Sequence, residues 1–383
     1  MKQTIYLDNA ATTWPKPPEV AAAVHDILAQ GAANPGRGGH ALSLVAGRTV
    51  YECRKKLGRL LNVQDESRII FTGNATQALN MALFGLLSPG DHCITTSMEH
   101  NAVSRPLHCL QGMGVEVTIV QCNSEGELPL EQLRAAFRHN TRLVALTHAS
   151  NVCGTLLPIP EASSLARRHG ALTLLDAAQT AGVYPLNAET LGVDLLALPG
   201  HKSLLGPTGT GALYIGPGVD LRPSLYGGTG SYSEHLDMPD TLPDRYESGT
   251  LNTVGIAGLS RALDYIEATG LNTIRRHEQS LAEQARVGLQ SIRGVKVYGT
   301  GTGAPIVAFN VGQIGSTEVA YMLDASFSIA TRAGLHCAPW AHQTLGTLAQ
   351  GVVRVSPGVY TSPQEIDALL EAVEAIAQEM TEC

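Results

Sequence analysis

Residues 171–202 read ALTLLDAAQTAGVYPLNAETLGVDLLALPGHK. Two short runs in it, ALTLLD (171–176) and VDLLAL (193–198), are apolar without alternation. A strand that is apolar at every position is buried on both faces, as happens when helices cover each side of a mainly parallel sheet. Each run stops at residues that carry chemistry. The first ends on Asp176 and continues into Ala177-Ala178-Gln179; the second runs into Pro199-Gly200-His201-Lys202.

Outward from this stretch, SRIIFTG (67–73), DHCITTSM (91–98), VEVTIVQC (115–122), TRLVALTHAS (141–150) and GALYIG (211–216) read as five further strands, seven in all. Residues 75–87, 101–112, 130–138 and 161–170 read as the helices between them. The alternation predicts a large α/β domain over 16–254. A helical stretch over 252–293, interrupted at Thr269-Gly270-Leu271-Asn272, follows it. Then VKVYG (295–299), PIVAFN (305–310), SIATR (328–332) and GVVRVSP (351–357) mix with helices over 317–325 and 363–380. These predict a small α+β domain made of 255–383 together with 1–15.

The 383 residues are 44% hydrophobic and 16% charged, which excludes a disordered or fibrous chain. The length suggests two or three domains at ~150 residues each. The net charge of −8 and the lack of any block of like charge argue against nucleic acid and anionic membranes as partners. Seven scattered cysteines (53, 93, 109, 122, 153, 337 and 383) form neither a CxxC pair nor a zinc spacing. With no secretory signal pattern and no long apolar run, the expectation is a cytoplasmic protein with reduced thiols.

Ligands of open α/β sheets sit beyond the carboxyl ends of the strands. Five segments lie there. Thr72-Gly73-Asn74-Ala75-Thr76-Gln77 opens a helix, whose free amides suit a phosphate as well as an ordinary cap. Glu99-His100-Asn101 follows the second strand, and Asn151 lies just past the fourth. Asp176 ends the fifth, and Lys202, a residue able to form a Schiff base, follows the sixth. A phosphate loop, an imidazole, an Asn, an Asp and a Lys are together what pyridoxal phosphate requires. The Lys attaches it, and the Asp keeps its ring nitrogen protonated so that the ring is an electron sink.

The chain resembles the class V aminotransferase family of fold-type I pyridoxal phosphate enzymes, and within it the cysteine desulfurases and selenocysteine lyases. The resemblance runs from YLDNAATT (6–13) through FTGNATQALN (71–80), EHNA (99–102), HASNVCGT (148–155), LLDAAQ (174–179), GHKSLLGPTGTG (200–211) and YESGTLNT (246–253) to RAGLHC (332–337) and GVVRVSPGVY (351–360). It implies that Lys202 holds the cofactor, His100 stacks on its ring and shuttles protons, and Asp176 pairs with the ring nitrogen. Gln179 and Asn151 are implied on the phenolic-oxygen side. Thr76, the amide of Ala75 and His201 are implied at the phosphate. Thr250 matches a position that reaches the phosphate of a neighbouring subunit, which implies a homodimer. Arg354 matches the grip on the substrate α-carboxylate, a bidentate pairing that Lys does not reproduce. Arg332 matches a second arginine of the active site, and Asn151 also faces substrate. Cys337 matches the nucleophile, whose thiolate attacks the substrate sulfur; the other cysteines read as packing, and Cys383 as incidental.

The implied reaction turns L-cysteine into L-alanine, leaves a persulfide on Cys337, and passes the sulfur to a thiol reductant or an acceptor protein. Alternatives stay open: L-selenocysteine as substrate, another class V aminotransferase or lyase acting on a non-sulfur amino acid, or a non-catalytic sulfur-carrier scaffold. A nicotinamide enzyme is disfavoured because no GxGxxG follows a strand. The chain departs from the family pattern in four places. Pro199 stands where a phosphate-binding Ser is usual, and Ala75 where the first of two Thr is usual. Asn34-Pro35-Gly36-Arg37-Gly38-Gly39-His40 lacks a His found in some relatives, and APWAHQTLGTLAQ (338–350) follows the nucleophile.

Overall fold

The computed structural model describes residues 4–30, 33–35 and 38–379. Gly36, Arg37 and Cys383 lie outside the described residues. In chain order the first elements are β1 (Ile5–Tyr6), α1 (Pro18–Gln30), α2 (Ala41–Leu61), β2 (Ile69–Thr72), α3 (Ala75–Leu86), β3 (His92–Thr96), α4 (Asn101–Gly112) and β4 (Glu116–Val120). Next come α5 (Leu130–Ala135), β5 (Thr141–Thr147), α6 (Ile159–Arg168), β6 (Leu172–Asp176), α7 (Ala188–Leu191), β7 (Leu195–Pro199) and β8 (Gly211–Ile215). The rest are α8 (Thr253–Thr269), α9 (Leu271–Ser291), β9 (Val295–Tyr298), β10 (Val307–Val311), α10 (Ser316–Phe327), β11 (Ile329–Ala330), β12 (Arg332–Gly334), α11 (Pro339–Thr344), β13 (Val352–Val355) and α12 (Pro363–Glu379).

Seven strands form the main sheet in the order β2-β8-β7-β6-β5-β3-β4. All run parallel except β8, which is antiparallel to both its neighbours. The unbroken apolar runs are buried as their sequence demands. Along β5, Leu143 and Ala145 join α3 and α4 in one core, while Val144 and Leu146 join α2, α6 and α8 in the other. That period of two is the pleat of a strand covered on both faces.

The second sheet has four antiparallel strands in the order β12-β13-β10-β9. Its core gathers Phe309, Val353 and Val355 with Leu281 and Leu289 of α9, Leu323 of α10 and Leu369 and Val373 of α12. The run SIATR, expected as one strand, is two. β11 pairs in parallel with β1, and after Thr331 the chain joins the other sheet as β12, beside β13. The expected helical stretch splits at Gly270, whose φ of 86° closes α8 and opens α9. No helix among the described residues is long and apolar enough to cross a membrane.

One buried ion pair ties the segment before Thr250 to the sheet. Glu247 accepts from both Nη atoms of Arg54 on α2, each at 2.7 Å, and from the amide of Phe71 at 2.6 Å. Both side chains are buried. Glu247→Gln leaves the guanidinium uncompensated, and unfolding in urea should show a loss of about 3–5 kcal/mol. A loss below about 1 kcal/mol would mean that the pair does not anchor this segment.

Candidate active site

The sheet brings the carboxyl ends of β2, β3, β5, β6 and β7 to one edge, where they border a cavity of about 220 Å³. Asp176 is the last residue of β6, and Lys202 lies three residues past β7. His100 caps α4 after β3, Asn151 lies in the turn after β5, and Ala75 and Thr76 begin α3 after β2. All six line the cavity, as do Gln179, His201, Arg332 and Arg354. Local sequence explains the corners. Asn74 caps α3 by accepting from the amide of Gln77 at 2.9 Å, leaving the helix N-terminus turned to the cavity.

The electrostatics follow from burial. Burial raises the Asp176 carboxyl, offset in part by the Ala178 amide, which donates to Oδ1 at 2.9 Å, and by Lys202. Burial lowers the Lys202 ammonium to about 8, against the pull of Asp176 and with the push of Arg354 and Arg332. His100 is lowered to about 4, first by burial and then by the charges of Lys202, Arg332, Arg354 and Arg105. Its Nδ1 accepts from the Ala102 amide at 3.0 Å, so the neutral ring carries its proton on Nε2. Burial lowers His201 to about 4 as well, and the charges of Lys202 and Lys16 push in the same direction.

Arg332 and Arg354 are cross-strand partners on β12 and β13. Arg354 is 1% exposed. Its Nη1 donates to the Asn151 carbonyl at 2.9 Å and its Nη2 to Asp8 Oδ1 at 2.7 Å. Arg332 Nη2 reaches Cys337 Sγ at 3.8 Å. Cys337 is exposed and stands just outside the cavity wall. It follows His336 in a turn where both residues are left-handed, with φ of 51° and 55°. Non-glycine residues hold such angles only under restraint. Here Asn101 N donates to the Cys337 carbonyl and Asn151 Nδ2 to the His336 carbonyl, both at 2.7 Å.

Three polar atoms around this cavity are buried without a protein partner: Asn151 Oδ1, His201 Nδ1 and Arg354 Nε. Buried polar groups are normally satisfied, so the cluster marks a ligand site with acceptor and donor needs.

Of the sequence-based site residues, Thr250 is the one the fold leaves apart. It is exposed, off the cavity, and meets Asn34 Nδ2 at 3.4 Å. Gln179 lines the cavity while donating to the Ala10 carbonyl at 3.3 Å. The irregular 226–245 stretch does not line the cavity. Cys109, expected to be buried packing, is exposed because the inner face of α4 is made by Val103, Leu107 and Leu110. Asp8 received no role from the sequence. Its signal was membership of the YLDNAATT run, but its partner is 346 residues away.

A model of the aminotransferase class-V family matches residues 5–369. The chain is 35% identical to a "Probable cysteine desulfurase" of Methanothermobacter thermautotrophicus, across 98% of this chain and 96% of that one. It is 34% identical to a cysteine desulfurase of Escherichia coli, across 97% and 93%. The apo structure of a cysteine desulfurase from Thermococcus onnurineus NA1 superposes with a TM-score of 0.91 at 33% identity, covering 98% of this chain and 95% of that one.

The lowered imidazoles give a test of the cavity's electrostatics. His100 and His201 on the cavity wall, and His148 buried off it, are held neutral down to about 4 in the fold, while an unfolded His takes its proton near 6.5. Below 6.5 the unfolded chain therefore binds more protons, and stability falls as pH drops. The His100 C2 proton resonance of the apoprotein should stay constant from pH 8 to about 5.5, while the denaturation midpoint declines below about 6.5. A His100 resonance titrating near 6.5 would contradict the site as described.

Proposed function

The chain belongs to the aminotransferase class-V family, and on that premise we propose that it is a pyridoxal-phosphate-dependent cysteine desulfurase. It converts L-cysteine to L-alanine and carries the removed sulfur as a persulfide on Cys337. The observation that carries this reading is the restrained, exposed Cys337 turn, with Arg332 on its sulfur, beside a cavity that also holds Lys202, Asp176 and His100. An aminotransferase needs no such thiol.

The residues present suit the cofactor. Members of the family use pyridoxal phosphate, which when bound delocalises the negative charge left by removal of a substrate proton. Lys202 would attach it, Asp176 would hold the proton on its ring nitrogen, and His100 would cover its ring. Asn151 and Gln179 would face its phenolic side. The α3 N-terminus at Ala75 and Thr76 would meet its phosphate, together with the unpartnered ring nitrogen of His201. Pro199 supplies no hydroxyl, so backbone amides and His201 carry that end.

Arg354 and Arg332 hold the α-carboxylate of L-cysteine, and Asn151 flanks it. Once the substrate amine has displaced it from the cofactor, Lys202 would take the α-proton, and burial, which lowers its ammonium, favours the neutral amine that this needs. Cys337 enters as thiolate beside the Arg332 guanidinium. Its sulfur bonds to the substrate sulfur, the substrate C–S bond breaks, and the electron pair stays with the carbon fragment. Protonation of that fragment, with His100 placed to pass protons, gives L-alanine. The sulfane sulfur left on Cys337 is taken by the thiolate of an acceptor protein, or released as sulfide while two reductant thiols become a disulfide.

Thr250 serves the phosphate of a second subunit, so the working form is a homodimer. The large domain is read as 16–254, with 1–15 and 255–383 as the small one; the separate core around Phe309 and Val353 supports a small domain, while α8 packs on the core of the large one. The protein works in the cytoplasm, where its free cysteines stay reduced.

Cys337→Ala should keep the visible absorbance of the bound cofactor and lose sulfide release from L-cysteine. Full sulfide release by that variant would overturn the persulfide scheme. Lys202→Ala should lose both the absorbance band and turnover. Giving the wild type L-selenocysteine beside L-cysteine decides between the sulfur and selenium branches by which one yields alanine.

A further inference from the structure

Directly opposed like charges on neighbouring strands repel. The register of β12 on β13 opposes Arg332 and Arg354. The two differ in what compensates them. Arg354 is paired with Asp8 at 2.7 Å and is almost fully buried, while Arg332 has no carboxylate partner among the described residues and lies on the Cys337 sulfur.

Asp8 is held where it is by the bonds its neighbours make. Residues 7–10 lie along the chain just past β13. Ser356 N donates to the Leu7 carbonyl at 2.8 Å, Asn9 Nδ2 to the Ser356 carbonyl at 3.0 Å, and Ala10 N to Ser356 Oγ at 2.9 Å. Tyr6 OH donates to the Asp8 carbonyl at 3.2 Å. A side chain at Gly358 would meet the Asn9 carboxamide at 2.6 Å, so glycine there keeps room for this strap. Asp8 thus arrives at Arg354 on a fixed support, two residues from where Ser356 is gripped.

We propose that Asp8 is a positioning residue: it aims Arg354 at the substrate carboxylate and, by holding one corner of the guanidinium, sets how tightly that carboxylate binds. The proposal rests on the cysteine-processing reading above. Arg354 spends one Nη on Asn151 and the other on Asp8, and its buried Nε has no partner. That leaves one edge of the fork for an arriving carboxylate. The carboxylate meets a cation already half compensated, so binding is moderated and the product carboxylate leaves readily. Without the Asp8 charge, Arg354 is a buried cation lacking its anion, and a ligand carboxylate becomes that anion.

The test uses holoenzyme and 3-mercaptopropionate, which has the carboxylate and thiol of the substrate but no amine. Calorimetric Kd is measured for wild type, Asp8→Asn and Asp8→Glu, with the ligand-induced rise in Tm. Asp8→Asn keeps the shape and an acceptor oxygen and loses the charge. It should bind about tenfold more tightly and gain a larger rise in Tm on binding than wild type. Asp8→Glu keeps the charge, and its Kd should stay within about threefold of wild type. A folded Asp8→Asn with unchanged or weaker binding overturns the proposal, as does tightening by Asp8→Glu. Should Asp8→Asn fail to fold, Asp8→Glu alone decides by the same threefold limit. Wild-type holoenzyme that makes no alanine from L-cysteine, with this Kd pattern intact, overturns the functional reading and not the role of Asp8.

Discussion

Burial of the main sheet on both faces is the constraint from which the rest follows. Helices cover each side of β5, β6 and β7, and their apolar side chains alternate between two cores. Polar chemistry has no room on those faces. The carboxyl edge is where the backbone turns away and short polar side chains collect, and there Asp176, Asn151, His100 and Lys202 come within one cavity.

The cavity carries more positive than negative charge. Lys202, Arg332 and Arg354 stand against Asp176 on its wall and Asp8 behind Arg354. That excess adds to burial in depressing His100 and suits a chemistry whose ligands are anions: a phosphate at one end and a carboxylate at the other. The second sheet delivers the two arginines. Its antiparallel register puts Arg332 opposite Arg354, and the turn leaving β12 carries Cys337 to within reach of Arg332. Substrate grip and nucleophile are thereby built on the same pair of strands.

Much of this was legible in the sequence. Four of the seven strands announced themselves as unbroken apolar runs, and Asp176 and Lys202 because they end two of them; β4, EVTIV, is partly exposed and shows itself by alternation. What was hidden depends on register or on distant pairing. SIATR has the residues of one strand, yet its two halves serve different sheets. The opposition of the two arginines, and the pairing of Asp8 with one of them, follow from contacts more than 300 residues apart in the case of Asp8. The helices α1 and α2 fall in a stretch to which the sequence reading gives no element. The start of α2 is masked by a Gly-rich lead and a His cap, His40, that accepts from Ser43 N at 3.4 Å in place of the usual Ser, Thr, Asp or Asn. The place of Thr250 concerns a second subunit, which one chain's sequence does not orient.

The central claim is that Cys337 takes sulfur from L-cysteine. Its most direct test is mass spectrometry of the Cys337 peptide after holoenzyme has met L-cysteine without reductant. The account predicts one added sulfur on Cys337, in step with the alanine formed and lost when a thiol is supplied. Alanine accumulating while Cys337 stays unmodified would contradict it.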